Sequence, residues 1–263
     1  MLELVAPSQF RAVVVMPVFN HGSTVGAMVD AVRKAGLRCL VVDDGSDSAC
    51  AAVLDGLAQA HGAALTLVRL VRNQGKGGAV MAGLREAGHQ GYSHAVQIDA
   101  DGQHDPAQVS RFLVRARRHP DAVICGCPLY DGSAPIVRRV GRIATKLCVW
   151  INTLSFGIRD SMCGLRVYPL ERVIPLIDEV QMGTRMDFDT EVLVRLHWNG
   201  TAILNHHTPV TYPRDGVSHF RMGLDNWLIA RMHVRLFGGM VRRSPGLLLQ
   251  RLSRLRPATR FQR

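Results

Sequence analysis

The 263 residues carry 32 Lys and Arg against 21 Asp and Glu, a net charge of +11, in a composition ordinary for a soluble globular protein; the length allows one large domain with a full core, or one domain with a short appendage. No apolar run approaches the roughly eighteen residues of a spanning helix, and the start MLELVAP lacks the basic region and apolar core of a secretory signal, so the chain is expected in the cytosol. Six cysteines with no CxxC pair exclude a disulfide framework and a zinc site and read as idle thiols.

In chain order, apolar runs of strand length alternate with amphipathic stretches of helical length. RAVVVMPVF (11–19) precedes a helical stretch at 22–35, RCLVVDD (38–44) one at 48–61, ALTLVRL (64–70) one at 76–88, and HAVQID (94–99) one at 105–118, before DAVICG (121–126). Strands separated by helices predict an α/β fold whose mostly parallel sheet has helices on both faces. Beyond Pro128 the helices lengthen. In 135–155, Ile136, Val137, Val140, Ile143, Ala144, Leu147, Cys148, Ile151 and Leu154 fall on one face, with Arg138, Arg139, Arg142 and Lys146 toward the other. This half is expected to shape a second substrate. His206 and His207 sit in a strand-like run and read as surface and core.

The C-terminal stretch concentrates the charge. From Pro213 to Arg263 eleven arginines stand against two aspartates, a net +9 of the chain's +11. MGLDNWLIARMHVRLFGGM (222–240) and PGLLLQRLSRLRP (245–257) mix large apolar groups with arginine at helical spacing, which suits a helix lying on an anionic membrane surface. Nucleic acid would want fewer large apolar groups and is excluded as a partner. The bland alternative is a helix docked on the domain with its arginines outward.

Polar groups gather at the strand ends: Pro17 and Asn20 after the first, Asp43 and Asp44 after the second, Asn73 to Gly78 after the third, Asp99 to Gln103 after the fourth. Ligands of open α/β sheets bind at carboxyl strand ends, so these predict one site. In NQGKGGA (73–79) the glycines let backbone amides approach a ligand at a helix start, with Lys76 as a positive charge. In DADGQHDP (99–106), Asp99, Asp101 and Gln103 alternate, so their oxygens could hold a hard divalent cation that shares its shell with a phosphate-bearing substrate. A calcium loop is excluded, because His104 and Ser110 stand where it needs glycine and glutamate. An aspartyl-phosphate phosphatase also uses Asp-x-Asp-Gly, but no lysine follows Lys146, and the motif lies on the fourth strand. Asp105 before Pro106 reads as a helix cap.

Taken together, VVVMPVFN, VVDDGSD, NQGKGGA and DADGQHDP, followed by DSMCGLR (160–166), MDFDTE (186–191) and YPRDGVSH (212–219), resemble the inverting family-2 glycosyltransferases of GT-A fold, above all those like dolichol-phosphate mannosyltransferase. The resemblance covers roughly 12–220. It implies a sugar moved, with inversion, from a UDP- or GDP-linked donor to a lipid-borne acceptor, either a polyprenyl phosphate or a glycolipid- or pigment-type hydroxyl. By it, Pro17, Asn20, Asp43, Asp44, Lys76 and Asp99 contact the donor nucleotide, while Asp99, Asp101 and Gln103 hold Mg²⁺ or Mn²⁺ against the diphosphate. A hydroxyl acceptor needs a base, for which Asp160 and Asp189 are the candidates; their bland readings are a turn cap and, with Glu191, a solvated helix face. A phosphate acceptor needs cations instead, such as Arg138, Arg139 and Arg166. Arg214, Ser218 and His219 complete the expected acceptor and diphosphate contacts. His21 and His219 depart from the family pattern, which often has glutamate and lysine there. A non-catalytic membrane-bound nucleotide-sugar-binding protein is the third alternative. The expected division is a catalytic domain over 1–220, with a nucleotide-sugar half (10–128) and an acceptor half (129–220), then a basic tail (221–263) holding the cytoplasmic protein to the inner face of the membrane.

Overall fold

The computed structural model describes residues 10–130, 136–211 and 219–255, apart from the side chains of 130, 136–139 and 250–255. Each predicted apolar run forms a strand: β1 (Ala12–Val18), β2 (Cys39–Asp43), β3 (Leu65–Arg69), β4 (His94–Gln97) and β5 (Val123–Tyr130). With β6 (Arg166–Pro169) and β7 (Ile203–Val210) they make a seven-stranded sheet of order β3-β2-β1-β4-β6-β5-β7. Every pairing is parallel except those of β6, which runs antiparallel to both β4 and β5.

Between these strands lie α1 (Gly22–Lys34), α2 (Ser48–His61), α3 (Lys76–His89), α4 (Gln108–Arg118) and α5 (Ile136–Thr153), then α6 (Leu170–Glu179), α7 (Phe188–Trp198) and α8 (Met222–Leu255). The alternation of side chains along β1 shows why its sequence is apolar throughout. Val13 and Val15 enter one core with α3, α6 and α7, whereas Val14, Met16 and Val18 enter the other with α1, α2 and α4. The strand order reverses beside β1: the chain passes outward to β2 and β3, then returns to β4 on the other side. A crevice therefore opens at the carboxyl ends of β1 and β4, where a ligand can reach backbone and side chains of both.

Three elements add what the sequence left open or read differently. The apolar stripe of α5 does not face the core: Val140, Ile143, Leu147 and Ile151 are each about half or more exposed, while Thr145, Val149, Asn152 and Thr153 are buried. The buried Asn152 side chain is partnered there, its Nδ2 meeting His233 Nδ1 at 3.2 Å, and its backbone carbonyl accepts from Trp198 Nε1. The first turn of α7 is not solvated, because Phe188, Asp189 and Glu191 are all buried. Finally, α8 docks on the domain through Met232, Leu236, Met240 and Leu247, and its buried Asp225 accepts from Arg185 Nε at 2.9 Å. Its other face leaves Trp227 56% and Val234 74% exposed. No helix among the described residues is long and apolar enough to cross a membrane.

Candidate active site

A cavity of about 800 Å³ fills the crevice. Pro17 to Phe19 and His21 from the end of β1, Asp44 after β2, Asn73, Gly75 and Lys76 at the start of α3, and Asp99, Asp101 and Gln103 after β4 line one side. Val140, Gly141, Arg142 and Thr145 of α5, Met162, Arg185 and Met186, and His219 to Met222 with Asn226 and Ile229 line the other. The four strand-end groups predicted to form one site do converge. A hollow at the opposite strand ends, about 430 Å³ and bordered by Asp121 and Arg172, holds none of these motif residues.

The polar groups at the strand ends divide into those that line the cavity and those that hold the neighbouring loop. Asn20, with φ +55°, accepts the Asp47 N–H on its side-chain oxygen, and Asp43 accepts from the Ser46 N–H and from Arg69 Nε. Both hold the loop after β2, and neither is among the residues that line the cavity. Asp44 lines the cavity and takes the N–H groups of Gln74 and Gly75 at 2.6 and 2.9 Å. Burial raises its pKa, against the pull of those two donors. Gly75, with φ +92°, turns the chain into α3, and a Cβ there would meet Thr184 O.

At the cavity floor the charges form a chain. Lys76 Nζ lies 2.8 Å from Asp99 Oδ2 and 2.8 Å from Asp189 Oδ2. Burial would lower the lysine pKa, but the two carboxylates outweigh it and raise it. The lysine lines the cavity with its charge shared between the two carboxylates. Asp189, likewise expected to be a base, is 4% exposed, does not line the cavity and accepts from Gln97 Nε2 at 3.1 Å. Burial pushes its pKa up, yet Lys76 and Arg166 bring it below the usual carboxylate value. A buried carboxylate so stabilised in its charged form is a poor proton acceptor. Arg166, expected at the acceptor, is fully buried and donates to the carbonyls of Ser161, Cys163 and Asp189 and to Tyr168 Oη. It serves the interior.

Asp99 Oδ1 is buried without a hydrogen-bond partner, an arrangement that suits a ligand supplied from outside the protein. Asp101 and Gln103 lie on the same cavity, and Asp101 Oδ1 accepts the Gln103 N–H. Oxygen donors of this kind fit Mg²⁺ or Mn²⁺. Among the described residues no three His, Cys, Asp or Glu groups assemble as a metal cage, so a cation here would draw the rest of its shell from substrate and water.

Asp160 does not line the cavity; its Oδ1 accepts the N–H groups of Met162 and Cys163, and its Oδ2 holds Arg142 Nη1 at 2.6 Å. It is a turn cap and an arginine tether. His219 meets His21 and Phe19 edge-on at 5.0 and 5.1 Å, and burial followed by His219 lowers the His21 pKa. The side chains of Arg138 and Arg139, and residues Arg214 and Ser218, lie outside the described residues. Sequence reasoning missed Arg185 and Arg221 and placed Arg142 without a role; all three line the cavity. Arg185 is oriented by Asp225, forty residues downstream, and no local pattern announces such a partner.

The sequence profile of Glycosyl transferase family 2 matches residues 13–169. Polyprenol monophosphomannose synthase of Mycolicibacterium smegmatis is 30% identical over 258 residues, 93% of each chain. Undecaprenyl-phosphate mannosyltransferase of Micrococcus luteus is 36% identical over 168 residues, covering 60% of this chain and 66% of its own. In fold, the chain is similar to glucosyl-3-phosphoglycerate synthase from Mycobacterium tuberculosis in complex with Mn²⁺, UDP-glucose and phosphoglyceric acid, with a TM-score of 0.64, 15% identity and coverage of 87% and 80%. The phosphatase alternative falls with these matches, and the chain belongs to glycosyl transferase family 2.

Proposed function

We propose that the protein transfers a sugar, with inversion, from a nucleoside-diphosphate sugar to a polyprenyl phosphate at a membrane surface. The observation that carries this reading is the cavity itself. Its donor side bears Asp44, Asp99, Asp101 and Gln103, while its other side carries Arg142, Arg185 and Arg221 and reaches the exposed apolar Val140 and Met222. Asp99, Asp101 and Gln103 would hold Mg²⁺ or Mn²⁺, which when bound would supply positive charge against the nucleoside diphosphate. A phosphate acceptor is already anionic and needs cations rather than a base. That agrees with Asp189 being buried and Asp160 committed to Arg142. The relatives named for polyprenol and undecaprenyl phosphates support the same acceptor class.

The membrane surface is reached peripherally, on the cytoplasmic side. The exposed apolar faces of α5 and α8 insert, and the arginine excess of the tail meets anionic headgroups, each such charge adding on the order of 1 kcal/mol. The test incubates the full chain with GDP-mannose or UDP-glucose, Mn²⁺ and polyprenyl phosphate in anionic vesicles, and reads lipid-linked sugar by mass spectrometry and its anomeric configuration by NMR. A lipid-phosphate sugar of inverted configuration is expected. Retention would overturn the inversion, and transfer only to hydroxyl-bearing lipids would overturn the phosphate acceptor.

A further inference from the structure

Asp189 was expected to act on the acceptor, yet it sits beneath the donor side of the cavity, and its partners point to a different task. Lys76 Nζ bridges Asp189 Oδ2 and Asp99 Oδ2 at equal distances of 2.8 Å. Asp189 is itself immobilised. Gln97, two residues before Asp99, donates to its Oδ1, and the Arg166 guanidinium stands 3.7 Å from the same oxygen. Gln97 is held in turn by the Tyr168 hydroxyl, and Arg166 by three backbone carbonyls. The Asp99 carboxylate also packs against Gly164, where any Cβ would strike Oδ2 first. One Asp99 oxygen is thus clamped while the other, Oδ1, is left buried and without a hydrogen-bond partner.

We infer that Asp189 is a positioning residue for the metal-binding carboxylate: by sharing the Lys76 ammonium it keeps that ammonium from saturating Asp99. This deepens the proposed function and rests on its assignment of Asp99 as a cation ligand. The physics is a competition between two cations for one carboxylate. With Asp189 charged, the ammonium divides its hydrogen bonds and its Coulomb attraction between two anions. With Asp189 neutral, the ammonium turns wholly to Asp99 and opposes an incoming divalent ion. Groups one step removed from a metal tune its affinity in this way, commonly by about 10–100-fold.

The experiment measures Mn²⁺ binding to the full chain by the electron paramagnetic resonance signal of free Mn²⁺, with thermal melting alongside. Asp189→Asn should weaken Mn²⁺ binding by about tenfold or more. The double variant Lys76→Met/Asp189→Asn, which removes the competitor together with the charge, should recover affinity to near wild type. Unchanged Mn²⁺ affinity in Asp189→Asn overturns the inference, as does a double variant no tighter than the single one. If Asp189→Asn does not fold, the double variant carries the test, because it places two neutral groups in contact: near wild-type Mn²⁺ affinity supports the inference and a large loss overturns it. A wild-type chain that binds no Mn²⁺ refutes the cation assignment itself, an outcome distinct from either.

Discussion

Asp101 faces the cavity just beyond the end of β4, where its Oδ1 takes the Gln103 N–H. Asp101→Ala is expected to weaken Mn²⁺-dependent nucleotide binding about 10–100-fold while the melting temperature stays within a few degrees, the loss of one charge-assisted interaction being on the order of 1.5–3 kcal/mol. Calorimetry with UDP and GDP, with and without Mn²⁺, checks this; unchanged affinity would remove Asp101 from the cation site. Gly164 tests the same site from behind. A Cβ there meets the Asp99 carboxylate, so Gly164→Ala should displace that group, costing about 1–3 kcal/mol of stability through overpacking and weakening the cation site as well. Stability loss with intact Mn²⁺ binding would show that Asp99 can shift without consequence. These two residues also mark what could be read in advance. The alternation of Asp99, Asp101 and Gln103 is a local pattern and is legible from sequence. The contact of Gly164 with Asp99 joins segments sixty-five residues apart and is not.

At the scale of elements, α5 and α8 carry the unusual surfaces. In α5 the exposed Ile143 and Leu147 make few intramolecular demands, so replacing both with serine should leave stability nearly unchanged. Removing that much apolar surface should weaken binding to anionic vesicles by about tenfold or more, if each side chain contributes roughly 1–2 kcal/mol on insertion. Vesicle flotation at low and high salt measures it; equal flotation of variant and wild type would mean that α5 stays out of the lipid. The 3.6-residue period of α5 was visible in the sequence, but its direction was not. Amphipathicity says that two faces differ, and only the burial of Thr145, Asn152 and Thr153, with Asn152 meeting His233, shows which one turns inward.

Over the whole molecule, α8 packs into the same core as the sheet and α7. Met232, Leu236, Met240 and Leu247 of α8 join the core that also holds Val13, Phe188 and Val192, and Arg235 pairs with the buried Glu191. A chain ending near Phe220 loses all of these. Since a single large-to-small change in a core costs about 2–5 kcal/mol, the truncation is expected to melt far below the full chain or to lose its cooperative transition by circular dichroism. A truncated chain as stable as the full one would show that α8 contributes no core. The α5–α8 contact should also respond to pH. Burial lowers the His233 pKa, so the native state favours the neutral ring while the unfolded chain takes up a proton near pH 6.5. The unfolded state then binds more protons, and stability falls as pH drops below about 6.5. His233→Leu should show a shallower loss between pH 7.5 and 5.5 in denaturant titrations; an identical slope would free His233 of this role.

What the sequence determined by itself was everything that repeats over short range or recurs as an ordered set. The β–α alternation predicted the sheet because a strand buried on both faces must be apolar throughout, and the polar groups at four strand ends predicted one site because parallel strands deliver their carboxyl ends to one edge. The tertiary structure decided how the charges pair. Lys76, Asp99 and Asp189 form one cluster, and Arg166 and Asp225 are internal, because the antiparallel β6 and the helices α7 and α8 bring distant segments against the end of β4 and the start of α3. Charge on a residue is visible in a sequence, whereas its partner depends on contacts made across the fold. The same carboxylate can therefore be a base, a cap or a clamp, and which of these it becomes is settled by the groups packed around it.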